Sequence, residues 1–305
     1  MTYKKKLFCL LALIFCLISL YGATFFFDPE VSSRNSNLSW LENRFVDLAD
    51  RIEIFGSNGR TLILRINNVW VISDGNVDYP VKQIRVEELF RDLSRRKNYP
   101  LRSSTSEPGI YGLGEGASRI IIRGGAGLPL LDLLIGYSDV SGREIYLRRT
   151  GQREIRSGED IFSIYTESAR SFWYDLRLFP DLSVVMVQRV HVFPPIMTEE
   201  SPFTLSRRNN NWINENSGAL VPRAESWLRT ILDTQGESFA DPVYWNPAYW
   251  EAEGSIILEL EDGSARIFRI GPPDSYGSRF AVVSDSDFTY SLTEWTVRRV
   301  WSFSF

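Results

Sequence analysis

One stretch of this chain occurs twice. Residues 61–93 read TLILRINNVWVISDGNVDYPVKQIRVEELFRDL, and from Phe203 the chain reads FTLSRRNNNWINENSGALVPRAESWLRTIL. Trp212 follows Trp70 by 142 positions, and Pro222 follows Pro80 by the same 142. Two landmarks at one offset indicate an internal duplication, which constrains the fold to two copies of one plan. That plan is an extended apolar run, an Asn-rich turn, a Trp strand, a polar loop, a Pro and an amphipathic helix.

In the first copy, residues 51–54 alternate, Ser57-Asn58-Gly59 is a hairpin turn, residues 61–66 are rich in β formers, and Asn67-Asn68 turns the chain into residues 69–72. A three-stranded meander is expected there. Pro80 suits the first turn of a helix, and Ile84, Val86, Leu89, Phe90 and Leu93 recur at helical spacing, so a helix should cover Trp70. Strands are expected over 120–122, 130–135 and 144–148. A helix is expected over 159–173, with Ile161, Phe162, Tyr165, Ala169 and Phe172 on one face. The second copy repeats this order from residue 187. Pro222 opens its helix, whose apolar face carries Ala224, Trp227, Leu228, Ile231 and Leu232, and a hairpin turns at Asp262-Gly263. Ile270-Gly271 echoes Ile135-Gly136, and residues 280–283 echo 145–148, both at an offset of 135. The closing segments 173–178 and 300–305 read as a final strand of each copy. The expected fold class is α+β: two tandem units, each an antiparallel sheet with one or two packed helices, after an N-terminal transmembrane helix.

That transmembrane helix is expected from residues 7–27, which carry no charge and follow Lys4, Lys5 and Lys6. About 20 apolar residues suffice to cross a bilayer, and flanking lysines stay cytoplasmic. A cleaved signal peptide competes, but a cut after Ala23 would put Tyr21 where a small residue is wanted, which favours an uncleaved signal anchor. Residues 1–27 thus read as basic start and anchor in the inner membrane, 28–45 as a linker, 46–182 as the first unit and 183–305 as the second. The bulk of the chain is then expected on the periplasmic side.

Composition narrows the chemistry. The formal net charge of −4 gives no general attraction to nucleic acid. Both cysteines, Cys9 and Cys16, lie in the apolar run, so the remainder has no thiol with which to make a disulfide or hold zinc. The single histidine, His191, sits in an alternating strand and reads as a surface or packing residue. Gly112, Gly114 and Gly116 lack a following helix period and a Gly-Lys-Ser/Thr, so they read as a turn. Asp285 and Asp287 lack the remaining ligands of a calcium loop. Glu159-Asp160 and Glu199-Glu200 are adjacent pairs, whereas acid/base carboxylates must face each other across a substrate. No catalytic residue, cofactor or metal ligand is assigned. Arg143, Arg148, Arg149, Arg153 and Arg156 read as one basic hairpin face. The densest aromatic segment, residues 244–250, makes Tyr244, Trp245, Tyr249 and Trp250 the candidate surface for a partner or a ligand such as a glycan.

Several of these features together resemble a known family. An RIEI strand at 51–54, Trp70, a Pro-led helix at Pro80, the turn Tyr111-Gly112-Leu113, the strand ending at Ile135-Gly136 and Tyr146-Leu147 behind a basic, apolar start are similar to the bacterial family called domain of unknown function 4340. The resemblance covers residues 1–182 well and the second unit more loosely, since Tyr249-Trp250 stands where a second YGL turn belongs. The family supplies no catalytic residues. Its members are often encoded beside gliding-type ABC transport components, so the resemblance implies an accessory role with a transporter or envelope protein as partner. The expected function is therefore a non-catalytic, membrane-anchored interaction or accessory module, with glycan binding as the alternative and an enzyme of unrecognised type as the third reading.

Overall fold

The computed structural model describes residues 37–104, 107–195, 201–209, 211–241, 252–274 and 277–302. The chain divides into two compact units, Met1–Asp175 and Leu176–Phe305, seven residues before the boundary expected from sequence. The described chain is mostly strand, arranged in three antiparallel sheets. This corrects the α+β assignment: the helices are short and lie against sheets that carry most of the core. The single-pass inner-membrane placement is also corrected, because no helix among the described residues is long and apolar enough to cross a membrane. The apolar run behind that placement, 7–27, lies outside the described residues.

The first unit holds β1 (Asn37–Leu38), β2 (Ala49–Gly56), β3 (Gly59–Ile66), β4 (Val69–Ser73), β5 (Asp78–Pro80), β6 (Lys97–Asn98), β7 (Leu101–Ser104), β8 (Ser118–Gly124), β9 (Leu128–Ser138), β10 (Glu144–Arg149) and β11 (Glu154–Glu159). Its helices are α1 (Asn43–Val46), α2 (Gln83–Ser94) and α3 (Ser163–Glu167). Nine strands form one sheet in the order β5-β4-β3-β2-β8-β9-β10-β11-β7, while β1 and β6 pair separately. Part of the expected linker belongs to the folded unit, for Trp40 and Leu41 are buried and Leu41 donates its N–H to the Leu93 carbonyl at 3.0 Å.

Alternation decides which face is core. Ile52, Ile54, Ile63, Ile72, Ile120, Ile122, Leu131, Leu133 and Ile135 point one way and are buried, covered in part by the Val86, Leu89, Phe90 and Leu93 face of α2. Trp70 meets Phe90 at 5.7 Å between ring centroids. Gln83 fixes the helix to the strand: its side-chain amide donates to the Trp70 carbonyl at 2.9 Å and accepts the Trp70 N–H at 3.3 Å. Pro80 does not open this helix. It ends edge strand β5, where a missing N–H costs no ladder bond, and its carbonyl accepts the Asp175 N–H at 2.8 Å. The helix expected over 159–173 shrinks to α3 and a 3-10 turn, Arg170–Phe172, because Ser168 and Ala169 are extended.

The second unit holds β12 (Val187–Phe193), β13 (Phe203–Arg208), β14 (Asn211–Asn214), β15 (Ser238–Phe239), β16 (Gly254–Leu260), β17 (Ala265–Pro273), β18 (Arg279–Val283) and β19 (Thr289–Leu292), with helices α4 (Ala224–Leu232) and α5 (Glu294–Trp301). Its order, β14-β13-β12-β16-β17-β18-β19-β15, matches that of the first sheet without the β5 edge. Arg65 pairs with Trp70 across β3 and β4, and Arg207 pairs with Trp212 across β13 and β14. The tight turns between them put Asn67 and Asn209 at the same positive φ of 51°. Asn tolerates that region better than most residues, hence its repetition at the turn.

Two details differ from the sequence expectation. Ile270 pairs with Ala281, whereas Ile135 pairs with Leu147, so Ala281 rather than Val282 stands in the place of Leu147. The offset there is 134, and a one-residue difference exchanges the faces of the strand. Residues 303–305 lie outside the described residues, and the last described element is helix α5, which takes Val300 and Trp301 out of the expected closing strand. Thr293 caps it by accepting the Thr296 N–H at 3.2 Å, and Val297, Val300 and Trp301 bury at helical spacing.

Candidate functional site

The outward face of the first sheet is where charge collects. Register places Arg60, Phe55, Arg119, Leu134 and Arg148 in one row across five strands. The next row holds Leu62, Glu53, Ile121 and Asp132, and the one beyond it Leu64, Arg51 and Arg123. Glu53 is the hub. Its carboxylate accepts Arg51 Nε at 3.0 Å, Arg60 Nη2 at 2.6 Å and Arg123 Nε at 3.4 Å, with its side chain 9% exposed and the three arginines at 36–47%. Asp132 takes both arms of Arg119, at 2.6 and 2.5 Å. Such fork-to-fork pairing fixes both groups in orientation.

The carboxylates titrate accordingly. Burial pushes Glu53 upward, but the Arg60 hydrogen bond and the positive charges of Arg51 and Arg60 outweigh it and hold its pKa below 4.5. Burial likewise raises Asp132, and Arg119 and Thr150 overcome this to leave it below 3.8. Both are anions at neutral pH. These three rows therefore present five guanidinium groups against two carboxylates, over half-buried Phe55, Leu62, Leu64 and Leu134, while Glu144 farther along the same face pairs with Arg102 at 2.6 Å. An aromatic corner adjoins it. Tyr111 and Tyr146 meet edge to face at 4.9 Å, and the Tyr111 carbonyl sits where a Cβ on Gly136 would lie, 2.1 Å away. Gly136 is thus required for the YGL turn to lie on the sheet. Ile110 and Tyr137 beside it are 76% and 66% exposed.

The second sheet carries an altered version of the same hub. Ladder pairing puts Arg189-Val190-His191-Val192 in the place of Arg51-Ile52-Glu53-Ile54, so His191 occupies the Glu53 position. Its Nδ1 lies 3.1 Å from Thr204 Oγ1 and its Nε2 2.9 Å from Glu259 Oε1, while Arg189 holds Glu259 at 3.5 Å and Glu215 at 3.0 Å. Glu259 stands where Arg123 stands in the first sheet, which exchanges acid and base about a common position. Both ring nitrogens of His191 are engaged, so the imidazole ties three strands together. The shared RIEI and RVHV pattern was the signal for this equivalence.

Other expected sites fare differently. Tyr244, Trp245, Tyr249 and Trp250 lie outside the described residues, as do Glu199 and Glu200. The Arg hairpin does not form one face. Arg148 points outward, whereas Arg149 donates to the Trp40 carbonyl, and buried Arg156 donates to the Tyr99 carbonyl at 2.8 Å and to Glu154 at 2.7 Å. Gly112 ends a 3-10 turn at a φ of 71° and no helix follows. Asp285 pairs with Arg266 at 2.6 Å. Among the described residues no three His, Cys, Asp or Glu side chains group so as to hold a metal ion. Comparison with protein families, with curated proteins and with solved structures finds no match.

Proposed function

We propose that this chain is a non-catalytic interaction module and that the outward face of its first sheet docks a protein partner with an acidic surface. The observation behind this reading is the excess of guanidinium over carboxylate in the three rows around Glu53, five groups against two, in a chain whose overall charge is −4. Arginine over half-buried apolar side chains is the composition of interface cores, where planar guanidinium groups bind carboxylates in pairs and their stems cover apolar surface. Tyr111, Tyr137 and Tyr146 extend the face with side chains of the type that dominates binding energy at interfaces. The family resemblance points to a component of a transporter or envelope complex as the partner to seek first.

The test is mild crosslinking of the full chain in its host, run beside an Arg148→Glu variant, since Arg148 lies outside the Glu53 hub and among the described residues bonds only the exposed Gln152 carbonyl. The expected outcome is a stoichiometric partner with an acidic contact surface that the variant loses while keeping the wild-type melting temperature. A partner retained by the variant, or a protein recovered alone in both cases, would remove the reading.

A further inference from the structure

The first unit also carries a cavity away from that face. It measures about 560 Å³ and opens between α1, α2 and the β3–β4 hairpin. That volume lies in the range of small-molecule sites. Its apolar part is Trp70, Phe90, Val86 and Val46, with Trp70 and Phe90 in ring contact. Its polar part has both signs: Arg65 and Arg91, Asp47 and Glu87.

These charges are not spent on one another. Glu87 and Arg91 are one turn apart on α2 and form no ion pair among the described residues, nor does the Asp47 carboxylate. Arg65 donates Nη1 to the Asp47 backbone carbonyl at 3.2 Å, which sets the guanidinium beside that residue and 5.9 Å from the Trp70 ring centroid. Arg65 and Ser94 both line the cavity, and the Arg65 Nε and the Ser94 hydroxyl are buried without a hydrogen-bond partner among the described residues. Buried donors of this kind are uncommon in folded proteins and call for an acceptor.

The duplication supplies an internal control. Arg207 donates Nη1 to the Val185 carbonyl at 3.3 Å, the same bond in the second copy, so that contact belongs to the common scaffold. The charges do not repeat. Val185 replaces Asp47, Asp233 replaces Arg91, and Arg229 replaces Glu87 and is paired with Glu225 at 2.8 Å. There α4 packs directly on the turn Val184–Met186. The first copy alone combines the aromatic wall with unpaired charges of both signs.

We infer that this cavity binds a small zwitterion with an apolar side chain, a free amino acid or the end of a short peptide. The carboxylate would meet Arg65 and Arg91, the ammonium Asp47 and Glu87, and the side chain the Trp70–Phe90 wall. Each charged contact is of a kind whose loss costs about tenfold or more in affinity.

The experiment is calorimetric titration of the full chain with phenylalanine, phenylalanine amide and 3-phenylpropionate. Phenylalanine should bind about tenfold or more tightly than either analogue, each of which lacks one charge. Glu87→Gln and Arg91→Gln, at exposed helix positions, should each weaken phenylalanine by a similar factor and leave the melting temperature unchanged. No saturable binding of any probe would overturn the inference. So would binding of 3-phenylpropionate equal to that of phenylalanine, or binding indifferent to both substitutions.

Discussion

Replacing Glu53 by Gln tests whether the outward hub is a structural requirement of the first sheet. The carboxylate serves three arginines at 3.0, 2.6 and 3.4 Å. Arg51 and Arg123 share Oε1 and Arg60 takes Oε2, so an amide, which keeps one acceptor oxygen and presents an NH₂ to guanidinium donors, loses one or two of the three contacts together with the charge that attracts all three. A hydrogen bond to a charged group contributes about 1.5–3 kcal/mol when shielded. Arginines 36–47% exposed are screened by solvent, which brings each contact nearer the ~1 kcal/mol of surface pairs. The expected cost is about 2 kcal/mol at pH 7. For a unit of this size that lowers the melting temperature by roughly 4–8 °C. The sign of the pH dependence follows from the depressed pKa. A carboxylate held below its ordinary 4.5 contributes stability that is fully present above 4.5 and is lost as pH falls through its folded value. The gap between wild type and Glu53→Gln should therefore narrow in acid. Thermal melts of both proteins at pH 7 and near pH 3, with hydrogen exchange of β2 and β8 amides to locate the change, read this directly. A shift under about 1 °C at pH 7, or a gap of equal size in acid, would show that the Glu53 carboxylate does not hold the sheet together.

Gly136→Ala should displace the YGL turn, because its methyl group would overlap the Tyr111 carbonyl and press on Leu113; a cost of about 1–3 kcal/mol is expected in denaturant unfolding, and a neutral result would show that the turn does not sit on the sheet. Trp301→Ala empties a site only 1% exposed and should cost about 3–5 kcal/mol, whereas a cost near zero would mean that α5 does not close the second unit. Asp139 accepts hydrogen bonds from the Ser141 hydroxyl and from the Glu144 and Arg143 amides, which together pull its pKa down to about 2; a carboxyl titration by nuclear magnetic resonance with a midpoint near 3.8 would contradict that turn.

Part of this molecule is written locally. The 142-residue echo of Trp70 in Trp212 marks equivalent strands, and the Asn turns before them share one backbone geometry, since a two-residue turn depends only on its own residues. The buried faces of α2 and α4 also follow from spacing, with Val86, Leu89 and Phe90 answered by Leu228, Ile231 and Leu232. Where a pattern was short, neighbours overruled it. At Val300 and Trp301 alternation yielded to a capped helix, and the helical period over 159–173 broke at Ser168.

In the sequence by itself the duplication is legible as a repeated pattern 142 residues apart, and the strand-rich runs and amphipathic faces are legible because they depend on residues within one or two turns of each other. Only the tertiary structure placed β7 beside β11 at the far edge of the sheet, gathered Arg51, Arg60 and Arg123 around Glu53, and set His191 in the matching position between Thr204 and Glu259. It alone opened the cavity that brings Arg65 and Asp47 to Glu87 and Arg91. Those groups come from separate strands and helices, and their meeting is fixed by cross-strand register and by how helices seat on a sheet, which single-chain periodicity does not encode.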